Sequence, residues 1–126
     1  MRLVLDSGAL IGLERNDRLM WRRLKRALLE EEIPITHGGV VGQAWRGRGP
    51  RAARLSLALE GIEIVALDED LGKLSGELLQ RAKKADVIDA ALVLLASDGD
   101  AIATSDPADF RTLSQAAGRL IDLIEV

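Results

Sequence analysis

Short apolar stretches alternate along the chain with longer segments in which apolar residues recur every three or four positions. Short runs rich in Leu, Ile and Val are typical of buried strands. They cover residues Leu3 to Leu5, Ile33 to Thr36, Ile62 to Ala66, Ala101 to Thr104 and Leu120 to Ile124. The alternation predicts an α/β fold, with helices on both faces of a mainly parallel central sheet.

Helical periodicity is visible in three of the intervening segments. The recurring apolar positions are Met20, Leu24, Ala27 and Leu28, then Leu71, Leu74, Leu78 and Leu79, and finally Ala91, Leu92 and Leu95. The segment from Gly38 to Pro50 is less regular, because five glycines and a proline interrupt it. Its apolar positions Val40, Val41, Ala44 and Trp45 still have helical spacing, which predicts a short helix followed by a turn.

The composition narrows the classes of protein to be considered. A chain of 126 residues with 48% hydrophobic side chains fits one domain, residues 1–126, with a buried core. The absence of cysteine excludes disulfides, thiolate metal sites and a cysteine nucleophile, and a single histidine disfavours zinc. We find no signal peptide and no membrane-spanning run, so a cytoplasmic protein without membrane contact is expected.

The charges are segregated along the chain. The net charge of −3 disfavours nucleic acid as a partner, because phosphate binding depends on Lys and Arg. Two basic stretches nevertheless stand out. They are Arg22, Arg23, Lys25 and Arg26, and then Arg46, Arg48, Arg51 and Arg54.

Acidic residues occur where strands are predicted to end. Asp6 follows the first apolar run, and Asp106 follows the fourth. In open α/β sheets, ligands bind beyond the carboxyl ends of the strands. A third acidic group comes from Asp86 and Asp89, which open a predicted helix three positions apart on one face.

Each of these acids has a simpler explanation on its own. Asp6 and Asp86 both precede helical segments and are suitable N-cap residues. The negative charge of Asp89, in the first turn, would interact favourably with the helix dipole. Asp106 stands before Pro107, at a favourable helix start. Taken singly, none of the four indicates an enzyme.

Taken together, the acids predict a divalent cation site. Two carboxylates about 4 Å apart repel by roughly 4 kcal/mol at an effective dielectric near 20, and a cation removes that cost. Oxygen ligands without cysteine or clustered histidine suit Mg²⁺ or Mn²⁺. Such an ion activates water for attack on phosphorus, so the pattern points to phosphodiester hydrolysis.

Three motifs resemble those of PIN-domain ribonucleases, in order and spacing, across nearly the whole chain. They are Leu3-Val4-Leu5-Asp6-Ser7-Gly8-Ala9-Leu10, Asp86-Val87-Ile88-Asp89-Ala90-Ala91 and Thr104-Ser105-Asp106-Pro107-Ala108-Asp109-Phe110. Within the family, the chain most resembles the toxin component of VapBC-type toxin-antitoxin pairs, which are single PIN domains of about this length. The resemblance therefore implies a single PIN domain.

The resemblance also implies roles for individual residues. It makes Asp6, Asp86 and Asp106 the residues that bind or organise Mg²⁺ or Mn²⁺. Ser7 and Thr104 become supporting hydroxyls. Two further acids, Asp89 and Asp109, are second-rank candidates, and for Asp109 stabilisation of its own helix start is the favoured explanation. The implied activity is an endoribonuclease, and the implied partners are an RNA substrate, a cognate antitoxin and a second copy of the chain.

One position departs from the family pattern. Where the family has a glutamate in the helix after the second strand, alignment from Thr36 places Gln43. A neutral amide offers an oxygen to a metal, but it cannot act as a general base. Weaker metal affinity is expected, and catalytic impairment is an alternative.

The second basic stretch follows Gln43 directly. We interpret Arg46, Arg48 and Arg51 as contacts for an RNA backbone or an acidic partner segment. For Trp45, burial in the core is preferred over stacking on a base. His37 is interpreted as a loop or cap residue.

The other surface charges leave more than one explanation open. Arg22, Arg23 and Arg26 fit a solvent-facing side of a helix, or contacts to an acidic antitoxin tail. Glu14 fits a salt bridge with a nearby arginine.

Two alternatives to a nuclease remain. A degenerate PIN domain would bind RNA or a partner without cleavage, as Gln43 suggests. A phosphoacceptor receiver domain also fits the length, but it requires an acidic pair after the first strand and a lysine after the last. Asp6 has no acidic neighbour, and no lysine follows Thr104.

Overall fold

The computed structural model describes residues 1–126 and contains five strands and seven helices. The strands are β1 (Leu3–Leu5), β2 (Ile35–His37), β3 (Glu63–Val65), β4 (Ala101–Thr104) and β5 (Asp122–Glu125). The helices are α1 (Ser7–Glu14), α2 (Arg18–Leu29), α3 (Gly38–Ala44), α4 (Gly49–Leu59), α5 (Glu69–Ala82), α6 (Val87–Leu95) and α7 (Pro107–Ala117).

All five strands are parallel and lie in the order β3-β2-β1-β4-β5. β1 is the central strand and pairs Val4 with Ile35 on one side and with Ile102 on the other. The three residues of β1 and the four of β4 are all buried, as expected for strands covered on both faces. β3 and β5, at the two edges, are partly exposed.

The helices form two layers. The chain runs from β1 through β2 to β3 by right-handed crossovers, which place α1 to α4 on one face of the sheet. It then returns past β1 to β4 and β5 in the opposite direction, so right-handed crossovers place α5 to α7 on the other face. The packing agrees, since α1 contacts α2, α3 and α4, whereas α5, α6 and α7 contact one another. The side chains between these layers and the sheet form one continuous core.

The predicted fold class is confirmed by this architecture, with some differences at the boundaries. β1 and β4 have the predicted bounds. β2 begins at Ile35 instead of Ile33, whose side chain is exposed, and β5 begins at Asp122 instead of Leu120. The helix and turn expected between Gly38 and Pro50 are both present.

Three predicted apolar positions lie outside the core. Leu28 and Leu74 have helical spacing with buried neighbours, yet both are exposed. Core burial of Trp45 was predicted, and this is wrong: its side chain is 39% exposed, because it ends α3 in an extended conformation and leaves the helical face. No helix of this chain has both the length and the apolar character needed to cross a membrane.

Candidate active site

The strand order reverses between β1 and β4, which are neighbours at the centre of the sheet. The connection from β1 leads to one side and the connection from β4 to the other, so a crevice opens at their carboxyl ends. The residue after β1 is Asp6, and the residues after β4 are Ser105 and Asp106. The sheet therefore brings two of the predicted acids to the position where open α/β folds bind ligands.

Asp6 is joined to the end of β4 by a buried hydrogen bond. The hydroxyl of Thr104 donates to Oδ2 of Asp6 at 2.7 Å, and the backbone N–H of Asp6 donates to the carbonyl of Ala103 at 3.0 Å. The other oxygen, Oδ1, accepts from the N–H of Ser7 at 2.7 Å and caps α1. Both the capping explanation and a contribution to the crevice therefore apply to Asp6.

The start of α1 lies very close to the end of β4. A Cβ atom on Gly8 would lie 2.7 Å from Oγ of Ser105 and 2.9 Å from its Cβ. Side-chain atoms do not approach this closely, so only glycine fits the position without a shift of the loop. Gly8 thus permits the close contact between the start of α1 and the residue that follows β4.

Asp106 does not cap its helix. It precedes Pro107 at the start of α7, but its side chain makes no capping hydrogen bond and is exposed. Its backbone N–H donates instead to the hydroxyl of Thr104 at 3.0 Å. Thr104 therefore contacts both Asp6 and Asp106, and the carboxylate of Asp106 is free to contact a ligand.

Asp86 does cap its helix, through one oxygen. Oδ1 accepts from the N–H groups of Ile88 and Asp89 at 2.9 and 3.1 Å. Oδ2 has no hydrogen bond within the chain. Capping explains the position of Asp86 and leaves one oxygen available.

Asp89 has the most perturbed carboxyl group of this edge. Partial burial in the first turn of α6, which has the largest effect, and the negative charges of nearby carboxylates together raise its pKa to about 7. In order of decreasing effect these are Asp86, Asp6, Asp109 and Asp106. Four carboxylates thus lie within electrostatic range of Asp89, although the five groups come from three separate segments.

A buried histidine, not identified from the sequence as part of this region, joins the end of β2 to the first turn of α6. Nδ1 of His37 accepts from the N–H of Gly39 at 3.1 Å, and Nε2 lies 2.9 Å from the carbonyl oxygen of Ile88. Because a carbonyl only accepts, the proton is on Nε2. The predicted cap role of His37 is confirmed, and the additional bond fixes the start of α6 beside the end of β2.

Gln43 carries the one buried side-chain polar atom without a hydrogen-bond partner, its amide oxygen Oε1. Gly39 lies one turn earlier on the same face of α3, and a Cβ there would lie 3.3 Å from Cγ1 of Ile88. That face is therefore turned toward α6. An unsatisfied buried oxygen costs free energy unless a ligand or water fills its place.

The oxygen atoms available at this edge are of the chemical type that binds a hard divalent cation. Asp106, the free oxygen of Asp86 and the amide oxygen of Gln43 are the kinds of ligand that Mg²⁺ and Mn²⁺ prefer. No three acidic or histidine side chains are oriented for joint coordination. Both oxygens of Asp6 accept internal hydrogen bonds, so coordination by Asp6 would use its remaining lone pairs or require its side chain to turn.

The remaining predicted residues have partners of their own. Ser7 contributes only its backbone N–H to Asp6. Asp109 lies in the first turn of α7 and forms an exposed ion pair with Lys84, with Oδ1 and Nζ 3.2 Å apart. This agrees with the helix-start explanation for Asp109.

The second basic stretch is exposed around the start of α4. Arg46 turns back to donate to the carbonyl of Trp45 at 2.8 Å, and Arg48 occupies the N-cap position of α4. Neither they nor Arg51 pairs with a carboxylate. Their assignment to RNA stays a prediction.

No family model and no curated protein match this sequence. Among solved structures, the chain is similar to one described as the crystal structure of VapBC2 from Rickettsia felis bound to a DNA fragment from their promoter. The TM-score is 0.72 over 99% of this chain and 100% of that chain, at 11% sequence identity. The likeness confirms the predicted PIN-like fold, in agreement with the sequence motifs.

Proposed function

We propose that this chain is a metal-dependent endoribonuclease and the toxin component of a toxin-antitoxin pair. The observation that carries the proposal is the junction of Asp6, Thr104 and Asp106 at the point where the strand order reverses. There the hydroxyl of Thr104 donates to the carboxylate of Asp6 and accepts from the backbone N–H of Asp106. A fold shared with a VapBC component supports it at the level of architecture.

The acids of this edge would hold Mg²⁺ or Mn²⁺, with Asp6, Asp86 and Asp106 as principal ligands. Such an ion, when bound, would activate a water and would stabilise the charge on the leaving oxygen. Thr104 keeps Asp6 oriented by its hydrogen bond to Oδ2. Cleavage is proposed to leave a 5′-phosphate and a 3′-hydroxyl.

The substrate is proposed to be RNA, and the partner an antitoxin protein. Arg46, Arg48 and Arg51 would contact the RNA backbone from the start of α4. The structure similar to this chain contains a VapBC pair on DNA, which supports an antitoxin as partner for this chain too. Homodimerisation and a cytoplasmic location remain part of the proposal.

Gln43 favours one second function, binding of RNA or a partner without cleavage. Its buried oxygen is neutral and unsatisfied, where the family pattern has a carboxylate. An amide cannot take a proton from water. The experiment below separates the two functions.

Purified protein is incubated with total bacterial RNA in Mg²⁺ or Mn²⁺, and the 5′ ends produced are mapped. Asp106→Asn is the test variant, because the side chain makes no internal hydrogen bond whose loss would disturb the fold. Asp70→Asn is the matched control, since Asp70 is also exposed at a helix start. EDTA removes the metal.

Discrete cuts that require metal, persist in Asp70→Asn and disappear in Asp106→Asn would support the nuclease. Cuts that persist in Asp106→Asn or in EDTA would overturn it. Binding of RNA without any cut at millimolar Mn²⁺ would favour the second function.

A further inference from the structure

A cationic cleft lies on the α1 to α4 face, away from the acidic edge. It encloses about 530 Å³ between the end of α1, the first half of α2 and the middle of α4. Its lining residues are Asn16, Arg18, Trp21, Arg22, Lys25, Arg54 and Leu57. Four of the seven are cationic and none is acidic, in a chain whose net charge is −3.

The cations of the cleft are uncompensated. None of the four takes part in a salt bridge, whereas Arg26 on the same helix pairs with Glu30. Arg18, Arg22 and Lys25 are spaced four and three residues apart, so they form a row along one face of α2. Such a row attracts an anion with several charges.

Two walls of the cleft are fixed by the same helix end. The indole Nε1 of Trp21 donates to the carbonyl of Leu13 at 3.0 Å, and Nη1 of Arg54 donates to the carbonyl of Glu14 at 2.7 Å. Both carbonyls belong to the last turn of α1, and that of Leu13 also accepts from the N–H of Asn16 at 3.1 Å. The aromatic ring and one guanidinium are therefore held in place before any ligand arrives.

We propose that this cleft holds a single strand of RNA, with its phosphates along α2 and a base against Trp21. Only Trp21 and Leu57 among the lining residues are apolar. An amphipathic peptide gains affinity by burying apolar side chains in such a groove, and two apolar residues offer little for that. A strand of nucleic acid needs cations and a flat aromatic surface, which are both present.

The cleft lies one helix length from the acidic edge. Asp6 caps the start of α1, and Trp21 and Arg54 bind its last carbonyls, so eight residues separate the two sites by about 12 Å. The inference rests on the proposed function, because the strand held here would be the RNA that is cut beside Asp6. The cleft would then fix the distance between the bound segment and the cut.

The test measures binding separately from cleavage. A fluorescein-labelled oligouridylate of about 12 nucleotides, within the usual site sizes for single strands, is titrated in EDTA and followed by anisotropy. The test variant replaces Arg18, Arg22 and Lys25 with Gln. The control replaces Lys73, Arg81 and Lys83 of the α5 segment with Gln, which removes the same charge from exposed positions elsewhere.

We expect the α2 variant to bind the oligouridylate at least about tenfold more weakly. The slope of log Kd against log salt should fall by about two, because each of the three lost phosphate contacts contributes roughly 0.7. The α5 variant should bind like the native protein. In a Trp45→Phe background Trp21 is the only tryptophan, and its emission should be quenched by the oligouridylate.

Equal binding by the α2 and α5 variants would overturn the inference, as would tighter binding of an oligoglutamate peptide than of the RNA at the cleft. If native protein cuts RNA while the α2 variant binds normally, the proposed function stands and this inference fails. Binding at the cleft without any metal-dependent cut overturns the proposed function instead.

Discussion

The hydroxyl of Thr104 donates to Oδ2 of Asp6 across 98 residues of sequence, with both side chains buried. The bond fixes a carboxylate at the junction of β1 and β4 and satisfies one of its oxygens. A hydrogen bond to a charged group contributes roughly 1.5–3 kcal/mol to stability. The same contact is therefore structural and, in the proposed function, positions a metal ligand.

Substitutions at Thr104 should separate the contribution of its hydroxyl to stability from that of its methyl group. Thr104→Val keeps the shape but loses the donor to Asp6 and the acceptor for the N–H of Asp106. We expect a loss of about 1.5–3 kcal/mol in the free energy of unfolding, measured by urea denaturation. Thr104→Ser should retain most of the stability, and equal losses in the two variants would contradict the account.

The two helix-start aspartates should respond differently to truncation. Asp86→Ala removes two capping bonds and should cost about 1 kcal/mol of unfolding free energy. Asp106→Ala removes none and should stay within about 0.5 kcal/mol of the native protein. Both should abolish RNA cleavage. A larger stability loss for Asp106→Ala than for Asp86→Ala would show that the capping assignments are wrong.

Gln43→Glu should strengthen metal binding. It places a negative charge where a neutral oxygen is buried and unsatisfied, and a divalent cation would neutralise it. We expect half-maximal cleavage at a lower Mn²⁺ concentration, and lower stability than the native protein in EDTA. Gln43→Leu, which removes the oxygen, provides the matched comparison. An unchanged Mn²⁺ dependence in Gln43→Glu would place position 43 outside the site.

The pKa of Asp89 makes the stability of the metal-free protein depend on pH. The unfolded chain loses this proton near pH 4 and the folded chain near pH 7. Since the folded state holds the proton more tightly, its contribution to stability is complete below pH 4 and falls as the pH rises toward 7. Urea denaturation in EDTA should show a shallower fall between pH 4 and pH 7 for Asp89→Asn than for native protein or Asp70→Asn.

Two glycines should give opposite results when changed to alanine. At Gly76, within α5, a Cβ meets nothing within 4 Å, so Gly76→Ala should stabilise by about 0.5–1 kcal/mol. At Gly8, the Cβ collides with Ser105, and Gly8→Ala should destabilise by about 1–3 kcal/mol. Thermal unfolding measures both, and Ser105→Gly should relieve the Gly8→Ala defect.

The sequence predicted the central strands better than the edge strands. β1 and β4 are fully buried, so β1 is an apolar run that ends before Asp6, and β4 is apolar up to its last residue, Thr104. β5 is an edge strand, and its end residues Asp122 and Glu125 are exposed, so polarity no longer marks its limits. The apolar pattern therefore identified the run but not its bounds.

The acidic edge was predictable only in part. Asp6 and Asp106 follow apolar runs, which is a local signal. The bond from His37 to Ile88 joins residues 51 positions apart, and nothing near either residue indicates it. Trp45 was wrongly placed in the core because the helical spacing includes it, whereas α3 ends one residue earlier, at Ala44.

The order of the strands also sets an order of assembly. β1 leaves the ribosome first, yet it lies at the centre of the sheet and pairs with β4, about a hundred residues later. Contacts between distant parts of a chain form late in folding. A nascent chain that has reached only β3 contains Asp6 but neither Thr104 nor Asp106. The nuclease proposed here would thus stay incomplete through most of its own synthesis, when no folded protein exists for an antitoxin to bind.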